Sequence, residues 1–423
     1  MLASIIINYF VGLAIGVSEH KQRWLVVGLL YNLFVLINFK YLGFLMSQLA
    51  PGTPVAELAN HIHLPLGISF FTFQCISYLI DVYRGDIKSE RSFLKVATYI
   101  SMFPQLVAGP IVRYASIKAD MDQPNISALN YYYAVLFFCI GLGQKVLIAD
   151  TLGNFADPLF AAWKAIDNVT AWLAAVSYSL QIFFDFAGYS NMAIGIGYLM
   201  GFEFPQNFNK PYMAKSFTEF WRRWHISLST WFRDYLYIPL GGNQGSYLQT
   251  YRNLLIVFLL CGLWHGASWV FIIWGLFHGC FLIIERIGFK QILEKLPSFF
   301  QHFYLLLLVV IAWVIFRSES TDQTITILGK MFGFISGGLM SYNAYYTHEI
   351  AIVLILGFIF STRFVENAVS HFIALPARRG MWDKERKNKI AYIAGLTWAI
   401  LLFCLSVIKI QAGVNSPFLY FRF

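Results

Sequence analysis

Apolar runs long enough to enter or cross a lipid bilayer recur along this chain, near residues 2–17, 24–39, 64–80, 131–149, 171–184, 186–202, 254–284, 303–316, 350–361 and 390–408. A hydrocarbon layer roughly 30 Å thick sets the length of a crossing, and several of these runs are short enough to need tilt or partial insertion. With 58% hydrophobic, 18% aromatic and only 13% charged residues among 423, the chain is no ordinary soluble domain. The pattern predicts an all-α, polytopic integral membrane protein with about 9–11 transmembrane helices plus re-entrant and interfacial pieces. One integral-membrane domain over 1–423 is the simplest organisation, since no tandem repeat or low-complexity linker interrupts it.

The net charge of +9 sits largely in short loops, so it speaks of membrane lipid and orientation, not of nucleic acid. The segment 377–389 holds six basic and two acidic residues, which argues for the cytoplasmic side; Arg84, Lys88, Arg91 and Lys95 put 84–95 on the same side. Cys75, Cys139, Cys261, Cys280 and Cys404 lie in apolar segments, odd in number and without paired spacing, so free thiols are expected and no metal site. The first 17 residues lack the basic start and small-residue cleavage site of a signal peptide. Pro104 and Pro110 predict a broken or re-entrant element over 96–112. The run 254–284, punctuated by Gly262, Gly266, Gly275 and Gly279, is too long for one upright crossing and must be steeply tilted or split.

Chemistry concentrates in WRRWHISLSTWFRDYLYIPLGG, residues 221–242. Taken as one helix, it carries Trp221, Trp224, Leu228, Trp231, Phe232 and Tyr235 on one arc. Arg222, Arg223, Ser227, Ser229, Thr230, Arg233 and Asp234 form the other, and His225 stands at the border. Such a helix suits the headgroup layer, as a plain surface anchor or as a place where cations meet an anion. The following IPLGGN, with Asn243, is either a simple turn or a loop whose amides hold an anionic group.

His265, in LLCGLWHGASWVF, sits mid-run between Trp264 and a cluster of small residues, with Trp269 on its stripe if the helix continues. Ionisable groups inside apolar segments are costly and functional by default, and a neutral imidazole there is suited to accept a proton. A histidine merely bonded between helices is the alternative. His278 falls about 140° away on an unbroken helix, which favours packing unless the segment breaks. Asp185 in QIFFDFAGYSNM could orient a histidine, pair with an arginine, or cap a helix beginning near Gly188. Lys145 reads as a snorkelling helix end and Asp81 as the interfacial end of a crossing. GYSNMAIGIG reads as small-residue packing, and no nucleophile elbow or phosphate loop is present, so covalent catalysis is disfavoured.

With these motifs in order, the chain resembles the membrane-bound O-acyltransferase family. FTEFWRRWHISLSTWFRDYLYIPLGGN (217–243) and LCGLWHGASWVFIIWGLFHG (260–279) carry the likeness. LPLGISFFTFQCISYLIDVYRG (64–85), FPQLVAGPIVRY (103–114), DFAGYSNMAIGIGYLMGF (185–202) and PFLYFRF (417–423) support it. Within the family it is similar to the branch that acetylates bacterial polysaccharides such as alginate; the branch that transfers D-alanine to teichoic acids differs after Arg-Asp-Tyr. The resemblance implies acyl transfer through a central tunnel in the bacterial inner membrane, from a cytoplasmic donor such as acetyl-coenzyme A to an extracytoplasmic acceptor. No bound cofactor is implied, and an extracytoplasmic acetyltransferase or acyl-accepting protein is the expected partner, with polysaccharide reached indirectly. It maps the essential histidine onto His265 as general base and the second onto His225. It also implies about two further apolar segments in relatives before the point where this chain begins. A transporter, which would show inverted repeats, and a catalytically silent scaffold remain the other classes.

Overall fold

The computed structural model describes residues 1–107, 109–368 and 384–413. The basic loop 377–389, which carried the orientation argument, falls in large part outside the described residues, as does the C-terminal motif 417–423. Among the described residues six helices are long and apolar enough to cross a membrane: α2 (Lys21–Leu49), α4 (Ala128–Ala161), α5 (Asn168–Leu199), α9 (Trp269–Lys295), α10 (Ser298–Arg317) and the apolar part, Asn388–Gln411, of α12 (Lys384–Gln411). Shorter apolar helices, α1 (Leu2–Val17) and α11 (His348–Ser361), join them. Three elements complete the frame around the histidines: α3 (Ile68–Arg84), the pair α6 (Phe217–Arg223) and α7 (Ile226–Phe232), and α8 (Tyr247–His265). No strand is formed among the described residues, so the chain is an all-α, polytopic membrane protein.

Close backbone approach at glycines marks two of the main helix pairs. A methyl group at Gly188 of α5 would lie 2.7 Å from the Gly141 carbonyl of α4, and one at Gly195 would lie 2.7 Å from the Ala134 carbonyl. The GYSNMAIGIG run is thus a packing face. Gly262 of α8 and Gly275 of α9 face each other in the same way: a methyl at Gly275 would sit 2.2 Å from the Phe258 carbonyl. The long 254–284 run is split, since α8 ends at His265 and α9 begins at Trp269.

Several expectations from sequence are corrected here. Segments 171–184 and 186–202 are one 32-residue helix, α5, with Asp185 in its middle. Asp185 therefore caps no helix near Gly188, and the partner its carboxylate meets is Lys145, with Nζ at 2.7 Å. Lys145 does not snorkel. It is buried and also binds Asp150 at 2.6 Å, because two carboxylates inside apolar helices need a charge partner. Asp81 is likewise buried and accepts from the Tyr235 hydroxyl at 2.7 Å. The expected break over 96–112 is present as two short helices, Phe93–Ser101 and Phe103–Leu106.

Gly275→Ala should destabilise the detergent-purified protein by about 1–3 kcal/mol, because a rigid carbonyl occupies the space of the new methyl. Gly279→Ala, whose methyl would come no closer than 3.2 Å to the end of the Leu255 side chain and 3.4 Å to Phe258 Cβ, should melt near the parent temperature. Identical melting of both variants in a thermal-shift assay would contradict the α8–α9 contact described.

Candidate active site

The 221–242 stretch is not one helix. α6 stops at Arg223, His225 takes a left-handed backbone (φ 43°, ψ 55°), and α7 restarts at Ile226. For a side chain branched into a ring this conformation costs about 1–3 kcal/mol, so the surroundings must enforce it. They do so through the extended segment around Asn207: Ile226 N–H donates to the Asn207 carbonyl at 2.9 Å, and Asn209 N–H donates to the Arg223 carbonyl at 2.9 Å. The start of α6 is pinned as well. Buried Glu285 accepts from the amides of Phe217 (2.5 Å) and Thr218 (3.0 Å) and from the Thr218 hydroxyl (2.8 Å), an anion at a helix N-terminus. Nothing in the sequence had singled out Glu285 or Asn207.

The apolar arc expected from periodicity is real, but protein covers it and not headgroups. Trp221, Trp224, Leu228, Trp231, Phe232 and Tyr235 are all buried in the main core. Phe73 of α3 stacks on Trp231 with ring centroids 3.7 Å apart, and the Trp231 indole N–H donates to the Phe73 carbonyl. The hydrogen bonds of His225 define its tautomer. Asn207 Oδ1 accepts from the Ser227 amide at 3.2 Å and the Ser227 hydroxyl at 2.9 Å, so the atom facing these donors is the carbonyl oxygen. His225 Nδ1, 3.1 Å from that oxygen, must then carry the proton. Its Nε2 is left as a buried acceptor with no hydrogen-bond partner among the described residues.

His265 is the last residue of α8, where the helix leaves its carbonyls open. Lys40 of α2 occupies that end: its Nζ donates to the Trp264 carbonyl (2.5 Å), the His265 carbonyl (3.3 Å) and the Ser69 hydroxyl (3.1 Å). A cation at a helix C-terminus is favourable, more so when partly buried. Lys40 escaped notice in the sequence, although a lone lysine in an apolar run carries the same signal as His265. The imidazole of His265 packs edge-on against Trp264 (5.0 Å between centroids), Trp274 (5.1 Å) and Phe316 (5.2 Å). His225 reaches the other side of Trp264 at 6.2 Å. Because the helix breaks after His265, α9 folds back and brings His278 into the same aromatic shell, 4.5 Å from Trp274. The expected packing-only position of His278 held for an unbroken helix.

Of the cavities that meet this shell, two lie at successive levels of α8. One, of about 230 Å³, is lined by Lys40, Leu64, Gly67, Ser69, Val107 and His265 among others, and Leu64 on its wall is 47% exposed. The second, of about 200 Å³, is lined by Thr218, Trp221, Ser229, Arg233, Phe258 and Cys261 among others. Cys261 is one helical turn before His265.

The remaining sequence candidates divide by location. Trp264 is buried in the shell, whereas Trp269 is 54% exposed and donates to Gln48 Oε1 at 3.2 Å, because the break at Gly266–Ser268 turns it away. Arg222 and Asn243 are exposed. Arg223 is held by Glu219 at 2.7 Å. Asp234 gathers Arg113 (2.5 Å) and Arg233 (2.6 Å), while Arg84 donates to its backbone carbonyl at 3.0 Å. Burial alone would raise the Asp234 carboxyl, but hydrogen bonds and charge from Arg233 and Arg113 hold it below the usual carboxylate range. Asp185 lies on the helix that supplies Phe186, the ring 4.6 Å from His225, and supports the shell only through that packing.

A buried histidine at the wall of a cavity and a second histidine whose Nε2 meets no partner among the described residues thus lie together among apolar helices. Residues 29–320 match the family model of the membrane-bound O-acyltransferases, and the chain belongs to that family. It is 40% identical over 448 aligned residues to a probable alginate O-acetylase, AlgI, of Azotobacter vinelandii, covering 99% of this chain and 89% of the relative. A peptidoglycan O-acetyltransferase of Helicobacter pylori is 35% identical over 472 residues, with 100% and 87% coverage. A teichoic acid D-alanyltransferase of Bacillus subtilis is 31% identical over 223 residues, 49% of this chain and 55% of that one. The chain is an O-acyltransferase and a multi-pass membrane protein.

Asn207→Ala leaves the His225 and Ser227 donors without their oxygen and should cost about 1–3 kcal/mol of stability. Circular dichroism melts of the purified variant check this; an unchanged melting temperature would mean that another group holds the break at His225.

Proposed function

We propose that this chain transfers an acetyl group from a cytoplasmic thioester donor, acetyl-coenzyme A, to an extracytoplasmic acceptor on the way to O-acetylation of an alginate-like exopolysaccharide. The bacterial inner membrane is the proposed location. One observation carries the proposal: His265 lines a cavity whose wall includes exposed residues, so an imidazole inside apolar helices is accessible to a substrate.

In the proposed step His265 takes the proton of the acceptor hydroxyl. The oxygen attacks the thioester carbon, the carbon–sulfur bond breaks on collapse, and the leaving thiolate recovers the proton. Proton transfer of this kind contributes typically about 10²–10⁴-fold. His225 assists as an acceptor. With its proton on Nδ1 and held by Asn207, Nε2 can receive a hydrogen bond from the acceptor hydroxyl and orient it, but cannot donate to an oxyanion. The cavity beside Thr218, Trp221 and Arg233 fits the donor side, since it ends one turn short of His265 and carries a cation at its edge. The tunnel of the proposal joins the two cavities through the aromatic shell. Arg84, Arg113 and Arg233 around Asp234 fit the anionic part of a coenzyme, and the proposal assigns them, with the basic 84–95 segment, to the cytoplasmic face. Membrane lipid surrounds the helices, and an extracytoplasmic acetyltransferase or acyl-accepting protein is the proposed partner.

The relatedness to D-alanyltransferases keeps one competing donor class in view, an aminoacyl thioester, which the same base and cavities would serve. Release of coenzyme A thiol from acetyl-coenzyme A by the purified protein, with the acetyl group recovered on a sugar hydroxyl or a partner protein, favours the acetyl donor.

His265→Ala should fold, as judged by an unchanged gel-filtration profile, and abolish O-acetylation of secreted polymer; wild-type acetylation by this variant would overturn the general-base assignment. Arg233→Ala should raise the KM for the thioester donor more than that for the acceptor. Equal loss on both sides in steady-state kinetics would mark Arg233 as a folding residue.

A further inference from the structure

The shell around His265 contains polar atoms that its own packing does not use. Trp221 Nε1–H can only donate, and it points to His278 Nδ1 at 3.2 Å. That nitrogen is therefore the acceptor, and a neutral His278 carries its proton on Nε2. His278 Nε2 has no hydrogen-bond partner among the described residues, nor has Nε1–H of Trp274. Both residues are 1% exposed. Each such buried donor without a partner costs about 1–3 kcal/mol, which a ligand atom accepting from it would recover.

Position favours a common target. Trp274 and His278 are four apart on α9 and so share a face, their rings 4.5 Å apart. Trp274 also packs edge-on against the His265 imidazole at 5.1 Å. The two donors thus lie on residues packed beside the general base of the proposed reaction. Lys40 itself is not available to an oxyanion, since its three donors already meet Trp264, His265 and Ser69. His225 is excluded for the reason given above.

We propose that Trp274 Nε1–H and His278 Nε2–H bind the acyl carbonyl oxygen and stabilise the negative charge that builds on it when the acceptor oxygen attacks. This rests on the acyl-transfer reading of His265. As the carbon–oxygen bond forms, the carbonyl π pair moves onto oxygen, where both N–H groups donate to it. Collapse returns the pair to the carbonyl and expels the thiolate, which is protonated by the imidazolium of His265. Donors fixed in advance in an apolar shell need no reorganisation, which is why such contacts act on the rate and little on ground-state binding.

The test is Trp274→Phe, which keeps an aromatic ring and removes the N–H. Turnover of acetyl-coenzyme A by purified protein, and the rate of O-acetyl accumulation in cells per folded molecule, should fall about 10²–10³-fold with KM near the parent value. His278→Gln, able to accept from Trp221 and to donate onward, should keep part of the rate that His278→Leu loses. A Trp274→Phe variant with the parent turnover overturns the assignment, and so does a raised KM at unchanged turnover. An active His265→Ala variant would instead sink the underlying acyl-transfer reading, so the two failures are told apart.

Discussion

Breaking a helix inside an apolar environment frees backbone amides and carbonyls that no water can satisfy, and this structure breaks two helices at the level of its histidines. The break after His265 is supported by the ammonium of Lys40, which sits on the carbonyls of Trp264 and His265. The break at His225 is supported by the Asn207–Asn209 segment, whose backbone supplies the hydrogen bonds that α6 and α7 give up. Without these two supports neither imidazole could leave the regular face of its helix. The rest of the arrangement, including the return of α9 and the burial of the tryptophans, depends on them.

The supports also explain why charged residues lie deep in a greasy protein. Glu285 holds the start of α6, and Lys145 joins Asp150 and Asp185 between α4 and α5. Each charge is matched locally, as the high cost of a lone buried ion requires. The histidines follow a different rule. His225 and His278 each use one ring nitrogen to bind the protein, and the other nitrogen faces the shell with no partner among the described residues. These two candidate chemical groups are held by one hand and left open at the other.

Tryptophan gives this shell its shape. Trp221, Trp224, Trp264, Trp274 and Trp313 pack with Phe220 and Phe316 into one aromatic mass, with Trp264 lining one cavity and Trp221 the other. Large flat rings bury much area at low entropic cost, and an indole N–H can face inward where a smaller apolar side chain would offer nothing. A wall of this kind excludes water from a reaction that water would otherwise intercept.

Much of the architecture could be read from the chain alone because the bilayer leaves few options. Apolar runs at His265, over 96–112 and along 254–284 told of helices, of a broken element and of a split, and the ordered motifs from Trp221 to Gly279 told of the family. Periodicity also identified the arc of Trp221, Trp224, Leu228, Trp231, Phe232 and Tyr235, since side-chain direction within a turn is a local property. What covers that arc is not local. Protein, not lipid headgroup, does so, and only the packing of α3 and α9 decided it. The same holds for Asp185, whose partner Lys145 is forty residues away, and for Lys40, which meets a helix end more than two hundred residues further on. His278 makes the point most sharply. By counting residues it belonged on another face from His265, and the fold put both against Trp274 because three residues between α8 and α9 left the helix. Local preference determines which segments become helices and which side of each is apolar; partners across the chain are chosen by where the breaks let those segments turn, and that is settled only when the whole structure has closed around its unsatisfied backbone groups.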